Sequence, residues 1–155
     1  MELDRQLRDR REWFIGDACS MTRVLELLST KTAFQAVREL FLGTTRFDDF
    51  VERIGTSAPA VSRALKQLES ARIVEKATYR EPGSRARDEY RLTTAGEDLL
   101  PVFLSLVQWG DAHLQDGAPP LEFVDADSGS SVAVCVTAKG TSGVRHEDIT
   151  VRRRR

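Results

Sequence analysis

The sequence predicts a mainly α chain with a minor β part, an α+β fold, and three observations predict it. Apolar residues recur at helical spacing from Met21 to Leu114. Two amphipathic segments, ending at Ile54 and beginning near Ala58, are parted by only Gly55-Thr56-Ser57. β-like runs are short, and are confined to 73–93 and to the stretch after Pro120. At 155 residues and 41% hydrophobic content the chain can build one core. Its formal net charge of −1 excludes a diffuse polycation, so any affinity for a polyanion must come from charge placed locally.

The elements follow in order. Residues 1–16 form a polar arm or helix ending in Trp13, Phe14 and Ile15. Met21, Val24, Leu25 and Leu28 stripe a first core helix. Phe34, Val37, Leu40 and Phe41 stripe a second, with Gly43 where a C-terminal cap belongs. Thr45 is expected to cap a third helix, carrying Phe47, Phe50, Val51 and Ile54, with Asp48 near its positive end. After the turn, Pro59 suits the first turn of a fourth helix. That helix has an apolar arc of Val61, Ala64, Leu65 and Leu68; Ser62, Arg63, Lys66 and Ser70 lie opposite, with Gln67 at the side.

Two strand-like runs, Ile73 to Tyr79 and Glu89 to Thr93, flank a turn-rich loop with Arg80, Arg85 and Arg87 on or near its tip. From Arg46 to Arg87 nine Lys/Arg face six Asp/Glu, a local +3 in a slightly acidic chain. Thr94-Ala95-Gly96-Glu97 reads as a capping box that opens a long helix through Leu114, bent at Pro101. Its apolar surface is wider than one core stripe needs, which suits packing on a second chain. Asp116 to Pro120 is a linker, and 121–155 is a small β-rich extension, with strands at Leu121–Val124, Ser131–Thr137 and Asp148–Val151 and a basic Arg152–Arg155 tail.

Helix, short turn, helix and basic-tipped hairpin is the order of a winged helix-turn-helix. A hydroxyl, guanidinium and amide face on the helix after the turn can read base edges and phosphates, although an ordinary solvated face would look the same. Guanidiniums on the hairpin tip suit phosphates or a minor groove.

The run Cys19-Ser20, Arg46-Phe47-Asp48-Asp49-Phe50, Leu65-Lys66-Gln67-Leu68-Glu69, Tyr90-Arg91-Leu92-Thr93-Thr94-Ala95-Gly96, Leu100-Pro101-Val102 and Trp109-Gly110 resembles the HxlR family of bacterial transcriptional regulators, relatives of the MarR group. The resemblance covers about residues 17–115. It implies a winged-helix homodimer paired through its N-terminal helix and the helix after the wing. Phe14, Leu99, Phe103, Leu106, Trp109 and Leu114 are the candidate interface.

The resemblance also brings departures. Where the family carries a Gly-Gly-Lys-Trp segment this chain has Ser29-Thr30-Lys31-Thr32, so a Trp-based packing feature is lost. The extension resembles a cysteine-paired, zinc-ribbon-like tail of some relatives. Here Asp127-Ser128-Gly129 and Cys135-Val136-Thr137-Ala138 stand in those places, so no metal is expected. Several members sense electrophiles or oxidants through a cysteine near Cys19. That makes Cys19 a candidate thiol sensor, against the alternative of a small packing residue, and Cys135 is read as structural.

The expected function is a sequence-specific DNA-binding regulator, read here as a repressor. It would act as a homodimer on a palindromic double-stranded operator, modulated by a small molecule or by thiol modification. Arg46, Ser57, Ser62, Arg63, Lys66, Gln67, Arg80, Arg85 and Arg87 are the candidate DNA contacts. The alternative is a winged-helix protein–protein module without DNA function. No nucleophile elbow, P-loop or HExxH pattern points to an enzyme, and no cofactor is expected. With no run of roughly 18 apolar residues and no signal-type start, no membrane partner is expected. A cytoplasmic, nucleoid-associated location follows, and two distant cysteines fit a reducing compartment.

Overall fold

In a computed structural model, residues 9, 11, 14, 16–79, 87–137 and 148–153 are described. A short 3-10 turn at Gly16–Ala18 leads into α1 (Ser20–Leu27), α2 (Lys31–Phe41), α3 (Phe47–Ile54) and α4 (Ala58–Ser70). Next come β1 (Val74–Tyr79) and β2 (Arg87–Leu92), a short α5 (Thr94–Glu97), α6 (Leu100–His113), β3 (Leu121–Asp125) and β4 (Ile149–Arg153). Both sheets are two-stranded and antiparallel, β1 with β2 and β3 with β4. The fold class is the expected one: mostly helical, with a winged helix-turn-helix at its centre.

The main core is made by α2, α3 and α4 closing on β1 and β2. Phe50, Val61, Leu65, Leu68 and Val74 are fully buried there, with Val37 and Leu40 of α2 and Tyr90 of β2 beside them. The Phe50 and Tyr90 rings meet edge to face at 6.2 Å. The predicted stripes of α2, α3 and α4 all enter this core. Glu39 is the charged group buried there: its carboxylate accepts from Arg38 Nε and Nη2 at 3.0 and 2.6 Å and from the Thr44 hydroxyl at 3.3 Å.

Five local expectations are corrected. Thr45 does not cap α3; Arg46 holds the N-cap position without a side-chain bond. The cause is a bridge between Arg46 and Glu89, with Tyr90 N–H bonded to Thr45 C=O at 2.8 Å, which draws this segment into the hairpin as a third edge. The cap before α5 is Thr93, one residue earlier than expected: its hydroxyl accepts from Gly96 N–H at 3.2 Å. A Cβ on Gly96 would lie 2.2 Å from the Ile73 carbonyl oxygen, so the close approach of α5 to β1 demands glycine. The helix through Pro101 is not one bent helix but two, interrupted at Asp98–Leu99, and Pro101 sits in the first turn of α6, where it needs no N–H.

The fourth correction concerns the outer helices. Met21 and Leu25 of α1 are 70% and 59% exposed and Val24 is exposed too, so of this stripe Leu28 alone enters the core of the chain. The C-terminal strands pair as β3–β4, but 132–137 is not a strand; only Ser131 bridges to Val124. Val134 gives its main chain to a side chain instead. Its N–H donates to Gln108 Oε1 at 2.9 Å, and Gln108 Nε2 donates to its carbonyl at 3.3 Å. This clasp and a second apolar cluster (Leu100, Phe103 and Leu104 with Phe123, Val132, Val134 and Ile149) dock the extension on α6.

Candidate nucleic-acid interface

The turn between α3 and α4 is set by sequence. Gly55 ends α3 at φ 67°, a left-handed conformation that glycine takes without strain, and its N–H bonds to Val51 C=O at 3.1 Å. Ser57 then takes the N-cap position of α4, its carbonyl accepting from Ala60 and Val61 at 2.9 and 3.1 Å. Val61, Ala64, Leu65 and Leu68 hold α4 from beneath. Rotation about the helix axis is thereby fixed, and the opposite face is presented outward.

On that face Ser57, Arg63 and Lys66 are exposed and Ser62 is half-buried at its edge. Arg63 and Lys66 stand nearly one turn apart and form no ion pair with the described residues. A guanidinium and an ammonium held this way, on a rigid and otherwise small-residue face, can donate to base edges and phosphates. Arg46 is exposed where the α3 N-terminus meets β2.

Gln67 does not belong with them. Its amide donates to the carbonyls of Leu27 at 2.7 Å and Glu26 at 3.2 Å, so it caps the C-terminal end of α1 instead of facing outward. Opposite charges tie the two strands at one point, where Lys76 Nζ meets Asp88 Oδ2 at 2.8 Å, and Arg91 pairs with Glu89 along β2. The Asp88 carboxylate raises the Lys76 pKa above the usual range. Arg80 and Arg85 lie outside the described residues. Arg87 is placed by its backbone as the first residue of β2, opposite Tyr79 at the loop end of the hairpin.

The candidate interface residues divide. Phe103 is buried in its own chain, stacked on Phe41 at 5.5 Å and meeting Phe123 edge to face at 6.2 Å, and Leu99 packs on the main core. Those two are corrected to intrachain packing. Phe14, Leu106, Trp109 and Leu114 remain exposed, as does Val102, which the sequence reading left out. Trp109 lies against His113 at 5.1 Å. Met21 and Leu25 of α1 belong with this exposed set. Helical spacing alone has the same form for a core and for an interface, so the sequence placed them inside.

Cys19 is half-buried at the N-cap of α1. The Thr22 hydroxyl, then the Thr22 backbone N–H, hold its thiol below the ordinary range. Thr22 carried no signal in the sequence beyond standing three residues after a cap. Cys135 is exposed, so its reading as a structural residue is corrected. Where the resemblance puts a metal knuckle, Asp125 accepts from the N–H and hydroxyl of Ser128 at 2.8 and 2.6 Å, and these bonds lower its pKa. No helix among the described residues is long and apolar enough to cross a membrane.

Comparison with known proteins agrees with this geometry. The family model of the HxlR-like helix-turn-helix matches residues 27–118. An HTH-type transcriptional regulator of Mycobacterium tuberculosis, Rv3095, is 34% identical over 104 residues, which span 66% of this chain and 65% of the relative. The chain thus matches slightly less than two thirds of that relative's length. Among solved structures, PA1607, described as a candidate transcription factor, superposes with a TM-score of 0.71 at 27% identity, covering 86% of this chain and 94% of that one. The reduced form of the transcriptional regulator YodB from B. subtilis gives 0.55 at 29% identity, covering 64% of this chain and 97% of that one.

Proposed function

We propose that this chain, which belongs to the HxlR-like helix-turn-helix family of transcriptional regulators, binds a palindromic DNA operator as a homodimer and represses from it. One observation carries the proposal: Arg63 and Lys66 have no ion-pair partner among the described residues and stand on the outward face of a helix whose inward face is locked into the core. Ser57 and Ser62 share that face, and Arg46 lies where the DNA backbone would pass. Arg80, Arg85 and Arg87 would serve the wing. A two-fold dimer through Met21, Leu25, Leu106, Trp109 and Leu114 would present two copies of α4 to two half-sites.

Two inputs would modulate it. Cys19, with its lowered pKa, is the candidate thiol switch; for YodB a reduced form is on record. A cleft of about 260 Å³ between α2 and α6, lined by Phe34, Arg38, Phe103 and Leu106, is the candidate effector pocket.

Capture of genomic DNA by the purified protein, followed by titration of the recovered sites at several salt concentrations, tests the reading. Discrete palindromic sites with a steep salt dependence are expected. Arg63→Ala should cost about 1–3 kcal/mol and relax preference at one base pair, whereas Lys66→Ala should weaken all sequences alike. No discrete sites, and no salt-dependent binding, would move the assignment to a protein–protein module.

A further inference from the structure

We propose that the cleft between α6, β3 and the 131–134 segment binds a small hydrophobic cation, an aralkyl ammonium or a similar amine. The cleft holds about 390 Å³, inside the range of roughly 300–1,000 Å³ usual for small-molecule sites. Leu104 and Val107 of α6 line one side, and Phe123 and Val132 the other. The Gln108–Val134 clasp draws the extension against the helix, so the walls are held together by bonds at 2.9 and 3.3 Å. These walls suit the apolar body of a ligand, and Phe123 among them adds an aromatic ring to the lining.

Charge selects the sign of that ligand. Asp111 lines the cleft one turn beyond Val107. It is half-buried and has no hydrogen-bond or ion-pair partner among the described residues. It also stands in the last turn of α6, where unsatisfied carbonyls make the helix end negative. A carboxylate in that place is opposed by the helix, and a bound cation would turn the opposition into attraction. Glu122, which accepts from the Ser131 hydroxyl at 2.7 Å, adds a second acidic group to the lining. No Lys, Arg or His is among the described lining residues. An anion of the same shape would meet the same groups as repulsions.

The inference is independent of DNA binding and is tested on the free, full-length chain. Benzyltriethylammonium is titrated into the protein by calorimetry, with benzenesulfonate as an aromatic anion of comparable bulk. The cation should bind, more weakly as salt rises, and the anion should not. Asp111→Asn, which keeps shape and removes charge, should weaken the cation roughly tenfold. Ala133→Phe, at an exposed lining position, should block it. Thermal melting shows that both variants remain folded. No heat with the cation up to millimolar concentration overturns the proposal. So does equal binding of cation and anion, or equal affinity in wild type and Asp111→Asn.

Discussion

Helices α4 and α6 are both rich in apolar side chains, and they end differently. Every member of the α4 arc, Val61, Ala64, Leu65 and Leu68, is buried within the chain. On α6, Leu100, Phe103 and Leu104 are buried, but Leu106 and Trp109 remain about half exposed, at 50% and 57%. The extension covers one flank of α6 and α2 another, and a third flank is left over. α1 repeats the pattern, with no buried residue at all. The difference separates two jobs. A helix finished from within can offer its polar face to a ligand without moving. A helix with surplus apolar surface is finished only when something packs on it.

The strongest way to break this contrast is to remove the floor under α4. Phe50→Ala deletes a fully buried ring that meets Tyr90. It should cost about 3–5 kcal/mol, read by denaturant unfolding. A loss near 1 kcal/mol would mean that the helix-turn-helix core is looser than its burial states.

The next prediction sharpens the other side. Leu106→Asp puts a charge on the exposed flank of α6 and removes no intrachain contact of the main core. A dimer paired there should dissociate, its dissociation constant rising by about tenfold or more, as read by sedimentation at several concentrations. A protein that stays dimeric would move the interface off this flank, and one that is monomeric from the start would leave the apolar surface to another partner.

The contrast also explains what was legible in the sequence. α2, α3 and α4, the turn at Gly55 and the hairpin could be read because stripe, turn residue and cap agree locally. Thr45, Thr94 and Pro101 were misread by one to a few residues. Tertiary demands moved the boundaries: the Arg46–Glu89 bridge took the Thr45 segment, and the close approach of Gly96 to Ile73 set the cap at Thr93. The stripe on α1 was legible as a stripe but not as exposed, because periodicity does not say which molecule covers it. In the candidate site, Arg63 and Lys66 could be found from helix phase alone. Gln67 sits at the margin of that phase, and only the position of α1, forty residues earlier, decides that its amide turns inward.

That assignment of Gln67 is itself testable. Gln67→Ala should lose about 1 kcal/mol of stability, since two carbonyls at the α1 end lose their donor. Operator preference, measured by competition between matched and mismatched sites, should stay unchanged. A relaxed preference at one base pair would return Gln67 to the reading face and place its amide between two uses.

The smallest expected effect concerns the thiol, and it is read as a shift in pH. The Thr22 hydroxyl, the largest influence, favours the Cys19 thiolate and lowers its pKa. The reactive form is therefore present at a lower pH than for an unassisted thiol. Linkage gives the same sign: the stabilisation tied to this group is lost as pH falls through the depressed value and is fully present above the ordinary one. In a Cys135→Ser background, the rate of alkylation against pH should show its midpoint on the acid side of a free thiol. Thr22→Val should move that midpoint upward, leaving the fully ionised rate in place. An unmoved midpoint would take Thr22 out of the mechanism, and with it the one feature of α1 that distinguishes Cys19 from a packing residue.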